Sequence, residues 1–102
     1  MKECCKAYLD DQFGGDADVI GEIYAEYVAS VRAKKAEAED ALAAADWARL
    51  DKAAHTVKGN ALSAGDNEMA DTAIELRKAA VLGDAALAES LIGKIGELAN
   101  LL

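Results

Sequence analysis

The chain has 102 residues, room for one domain with a modest core, and 53% of them are hydrophobic. It has no proline, one Trp, three Tyr and one Phe, and it is rich in alanine; β-branched and aromatic residues are too scarce for a sheet, so the composition points to helices. Eleven basic against nineteen acidic residues leave a net charge of −8, which repels a phosphate backbone and an anionic lipid surface and argues against nucleic acid and membrane as partners.

The first eleven residues are interrupted by charge and carry neither the apolar run of a secretion signal nor that of a membrane span, so a cytoplasmic location is expected. A short helix over about residues 2 to 12 is expected to cover one end of the fold with Tyr8 and Leu9. Cys4 and Cys5 are adjacent, and no second ligand pair follows at a usable spacing. They fit neither a disulfide framework nor a zinc site and read as two small, semi-buried thiols.

Breaks at Phe13 to Asp16, around Asp46, at Gly65-Asp66 and at Gly83-Asp84 each join a helix stop to a helix start. Asp16 or Asp18 caps the longest segment, about residues 18 to 44, with Ile20, Ile23, Tyr24, Tyr27, Val28, Val31, Ala38 and Leu42 on one stripe. Asp46 caps the next. Asp66 or Asn67 starts a helix with Met69, Ala73, Leu76 and Ala80 inward; Asp84 starts the last, where Leu87, Leu91, Ile95, Leu98 and Leu102 repeat and Ile92 and Leu101 widen the face. Tyr24 and Tyr27 read as core residues with hydroxyls at the surface. Short connections force antiparallel neighbours. The expected fold is all-α: an up-and-down antiparallel four-helix bundle (16–102) with a short additional N-terminal helix and loop (1–15), one domain in all.

The segment from 46 to 65 departs from its surroundings. At about 100° per residue, Leu50, Ala54, Val57, Ala61 and Ala64 share one direction, with Trp47 beside them, and His55 lies about 140° away. The sole histidine therefore faces solvent, on a strip with Asp51, Gly59 and Leu62. A mid-helix glycine costs about 1 kcal/mol relative to alanine, so Gly59 needs a compensating role: close approach of a partner to the imidazole. Leu62 offers that partner an apolar foothold. Lys58, three residues after His55, projects to the strip's edge, where its ammonium reaches an anion on the imidazole. Asn60 and Ser63 flank the strip, in reach of an anion on the imidazole or of water, with water the expected partner of both. Arg49, Lys52 and Lys58 against Asp46 and Asp51 leave this segment at +1 and the remainder at −9. Asp51 and His55 stand at the spacing of an oriented base or half a metal site, but neither a nucleophile nor a second histidine completes either set.

The string Ala54-His55-Thr56-Val57-Lys58-Gly59-Asn60-Ala61-Leu62-Ser63-Ala64-Gly65 resembles the histidine-containing phosphotransfer (HPt) domains of two-component phosphorelays. It has His, Lys and Gly at offsets zero, three and four and a second glycine, Gly65, ten residues after the histidine. The resemblance continues to Met69, Leu76 and the Gly-Asp break before the last helix; where the family often has Glu after that leucine, this chain has Arg77.

The resemblance implies a phosphocarrier rather than an enzyme. His55 Nε2 would accept a phosphoryl group from a receiver-domain phospho-aspartate, or pass one on. Lys58 would hold the phosphoryl oxygens. Gly59, Leu62, Asp51, Lys52 and Ser63 would meet the partner, and Gly65 belongs to the structural motif. Phosphoryl transfer needs alignment and charge neutralisation above all. With no phosphate-cradling loop and no metal cage here, no cofactor is expected on this chain, and magnesium is expected on the receiver. The expected partners are receiver domains, a hybrid histidine kinase, or both, met by a monomer. A competing reading keeps the bundle without the chemistry: a non-phosphorylated helical interaction module that binds a receiver or another helical partner through Leu62.

Overall fold

A computed structural model describes residues 1–102 as five helices: α1 (Glu3–Phe13), α2 (Ala17–Ala43), α3 (Trp47–Ser63), α4 (Asn67–Leu82) and α5 (Ala85–Ala99). α1 and α2 are each shifted by a single residue from the bounds expected from sequence. Each of α2 to α5 starts at an aspartate whose carboxylate accepts a first-turn amide. Asp16 takes the N–H of Val19 (3.3 Å), Asp46 that of Arg49 (3.1 Å), Asp66 that of Met69 (3.3 Å) and Asp84 that of Leu87 (3.0 Å).

The three joints inside the bundle share one design. A residue with positive φ precedes the aspartate, and the aspartate's own N–H reaches back to close the previous helix: Asp46 to Ala41 O (2.8 Å), Asp66 to Ala61 O (2.9 Å), Asp84 to Ala79 O (3.0 Å). Gly65 and Gly83 hold the left-handed position in two joints, and Ala45, at φ 52°, holds it in the third. With no linker between stop and start, successive helices must run antiparallel.

α3 packs between α2 and α4, and α5 closes the ring against α4 and α2. The molecule is 43 Å long, close to the span of the 27-residue α2 at about 1.5 Å per residue. Alanines on every bundle helix let the backbones approach, and Leu50, Met69, Leu76 and Ile95 fill the interior.

Some expected positions are revised. Leu87 (41% exposed) and Leu101 (68%) lie outside the core. The buried stripe of α5 is Ala88, Ile92, Ile95 and Ala99, with Leu98 beside it. Leu87 sits one residue off that stripe in the opening turn, and Leu101 lies past the helix end. The two thiols are unlike each other: Cys5 is buried and Cys4 exposed.

The hydroxyls of Tyr24 and Tyr27 also turn inward. Tyr27 OH donates to Asp66 Oδ2 (2.7 Å), and Tyr24 OH donates to Leu102 O (3.1 Å) while accepting from the N–H of Lys2 (3.1 Å). Lys2 Nζ completes the cluster on Asp66 Oδ1 (3.0 Å). Asp66, legible in the sequence only as a helix cap, is a fully buried hub joining α1, α2 and α4. Leu9 is buried as expected, and Tyr8 lies across Gly65, where an added Cβ would run into it.

Candidate functional site

α3 is amphipathic in the sense read from its sequence. Leu50, Ala54, Val57 and Ala61 are buried, joined by Ala53 and by Ala64 just after the helix, while Lys52, His55, Gly59, Leu62 and Ser63 are exposed. The side-chain direction of a helix residue follows from its register. The core face of α3 therefore leaves His55 no alternative to solvent. Trp47, half-buried, packs against the turn at Gly83.

Nothing lies within 4 Å of a Cβ built on Gly59. A packing role for this glycine is thereby removed, since no neighbouring helix needs the space. What its missing side chain provides is clearance on the solvent side, one turn from the imidazole. Leu62 is 48% exposed on the same strip.

Three polar neighbours differ from expectation. Asp51 is half-buried, and its Oδ1 accepts from Arg77 Nε at 2.9 Å; it tilts from the strip toward α4 because a guanidinium is available there. Asn60 is not left to water: its amide donates to Ser30 Oγ on α2. Ser63 Oγ donates to the carbonyl of Gly59 (3.0 Å), so that hydroxyl is engaged along its own helix while its residue stays exposed.

These contacts sharpen the electrostatics. Arg49 leans on Glu37 (3.7 Å), Asp51 is matched by Arg77, and Asp46 is spent at the helix cap. Lys52 and Lys58 take part in none of the molecule's salt bridges. Within α3, the charges left uncommitted around His55 are thus both positive. Lys58, half-buried three residues along, is the nearer in register to an anion on the imidazole. Nowhere do three or more His, Cys, Asp or Glu side chains gather as metal ligands.

A family model described as Hpt domain matches residues 22–102. The chain belongs to the Hpt domain family. The match starts within α2 and runs to the last residue, so the Hpt unit takes in the three joints and the whole of α3, while α1 lies outside it. No curated protein and no solved structure matches the chain. Hpt domains are phosphotransfer modules of two-component signalling, in general phosphocarriers rather than catalysts, and typically interact with receiver domains and histidine kinases. No helix of this Hpt protein is long and apolar enough to cross a membrane.

Arg77 and Ser30 are the neighbours of the strip that the sequence reading did not place. The one signal for Arg77 was its departure from the family's usual residue. Ser30 gave none, since pairing Asn60 with α2 depends on how two helices settle.

Proposed function

We propose that His55 is the phosphoryl acceptor of this Hpt domain and relays the group between receiver domains of a phosphorelay. The observation that carries the reading is the solvent-facing imidazole beside an unpaired Lys58 and an open Gly59. In the step, the lone pair of the unprotonated Nε2 attacks the phosphorus of a receiver's aspartyl phosphate. The P–N bond forms as the P–O bond breaks, and the receiver's carboxylate leaves. Lys58 gathers the phosphoryl oxygens by charge, and the divalent ion of the reaction belongs to the receiver. Gly59 admits the receiver's surface, Leu62 seats it, and Lys52 and Ser63 border the contact. Asp51 acts here by holding Arg77 rather than by touching the partner. Receivers and a hybrid kinase as partners, a monomeric state and a cytoplasmic location complete the reading.

Incubation with a receiver carrying radiolabelled phosphate tests it. The chain is expected to gain acid-labile, alkali-stable label, His55→Gln to gain none, and Lys58→Ala to be labelled about tenfold more slowly, equivalent to about 1.4 kcal/mol of lost transition-state stabilisation. Label that persists in His55→Gln refutes the assignment. Receiver binding with no label on the unaltered chain favours the interaction module, for which exposed Leu62 is the specific support.

A further inference from the structure

A second surface adjoins the exposed strip of α3 and shares Asp51 and Lys58 with it. Between α3 and α4 runs a groove of about 600 Å³, lined by Asp51 and Lys58 on one side and by Ile74, Arg77, Lys78, Val81 and Leu82 on the other. Val81 is 80% exposed and Leu82 75%. Val81 is not there for the helix, where a β-branched side chain loses freedom. Neither is there for the core, which α4 serves through Met69, Ala73, Leu76 and Ala80. A lone exposed aliphatic residue needs no explanation, but an adjoining pair with a polar rim marks a contact surface.

The rim states the partner's charge. Lys58, Arg77 and Lys78 face one acid, Asp51, which Arg77 already holds; Glu75 contacts Lys78 from outside the groove (3.1 Å). On a chain of net −8, this lining is positive. Its geometry suits a helix. Ile74, Lys78 and Val81 follow one another at i, i+4 and i+7 along α4, the register that receives a third helix, and the lysine and arginine stems extend the apolar floor while their heads stay wet. A symmetric contact with a second copy is disfavoured, because it sets Arg77 and Lys78 against themselves.

We propose that the α3–α4 groove docks an amphipathic helix of a partner protein, its apolar stripe flanked by Asp and Glu. A displayed library of random peptides selected on the intact chain, with the Val81→Asp variant as counter-selection, tests it. Enriched peptides are expected to be acidic with Leu, Ile, Phe or Met at helical spacing. Their affinity, read by fluorescence anisotropy, is expected to fall about tenfold or more in Val81→Asp and in Lys78→Glu. Circular dichroism checks that both variants remain helical, and Lys78→Glu, at an exposed position, carries the test if Val81→Asp unfolds. Enrichment of basic or neutral peptides, affinities unmoved by the variants, or self-association of the intact chain that Val81→Asp abolishes would each overturn the proposal.

Discussion

Gly59 and Asp66 are the two residues whose roles most exceed their local chemistry. Gly59 weakens α3 without serving the packing, so Gly59→Ala is expected to stabilise the fold by about 0.5 to 1 kcal/mol in urea titrations. Gly59→Glu is expected to keep the helical signal and slow labelling by a phosphorylated receiver severely. Equal labelling rates would remove close approach as the reason for the glycine. Asp66 is the converse case, held by Lys2, Tyr27 and the N–H of Met69 at once. Asp66→Ala strands Lys2 and Tyr27 and uncaps α4, a loss of about 3 kcal/mol. Tyr27→Phe, which leaves one buried carboxylate oxygen short of a donor, is expected to cost about 1 to 2 kcal/mol. Denaturation midpoints of the two variants check the order.

The helices owe their bounds to local rules and their faces to register. Both kinds of information are short-ranged, which is why the starts at Asp46 and Asp84 and the inward set of α3 could be read directly, and Asp16 as one of two candidate caps. Ala45 is the exception within the repeated joint. It takes a left-handed conformation where the equivalent positions have glycine, at a strain of about 1 to 2 kcal/mol. Part of that returns on substitution: Ala45→Gly is expected to raise stability by up to about 1 kcal/mol and to leave phosphotransfer unchanged. A lower thermal midpoint for this variant would mean that alanine's stiffer unfolded chain outweighs the strain. α5 shows where register reading weakens. Leucines on two overlapping stripes compete for the core, and only the seat of α5 against α2 and α4 selects Ile92 and Ile95 over Leu87.

For the whole molecule, α1 is the added piece, fastened by a cluster that titrates in alkali. Burial, with the neighbouring Cys4 and Asp66, pushes the Cys5 thiol from 9.0 up to about 12. Burial and the bond to Asp66 likewise raise Tyr27. For Lys2, burial opposes the charge, but the hydrogen bond and attraction to Asp66 outweigh it and leave the group raised. All three shifts have the same sign: the folded state keeps protons that the unfolded chain gives up. For Cys5 the resulting stability is complete below pH 9.0 and is lost as the pH climbs toward about 12. Urea titrations at neutral pH and above 9.0 should show this decline, and Cys5→Ala should make it shallower. A decline identical in the variant would take Cys5 out of the account.

The residues alone were enough for an all-α bundle, for the placement of its joints and for a solvent-facing His55 with Lys58 and Gly59 nearby, because composition, capping and a helical period act over a few residues. They were not enough for Arg77 drawing Asp51 off the strip, for Asn60 finding Ser30 or for the buried hub at Asp66. Each of these depends on distance between segments far apart in the chain, set by how alanine-lined helices settle against one another. The net charge of −8 illustrates the difference. Counting along the sequence shows that α3 departs from it, and packing then commits the acids of α3 to a cap and an ion pair, so that the uncommitted charge beside the histidine is positive.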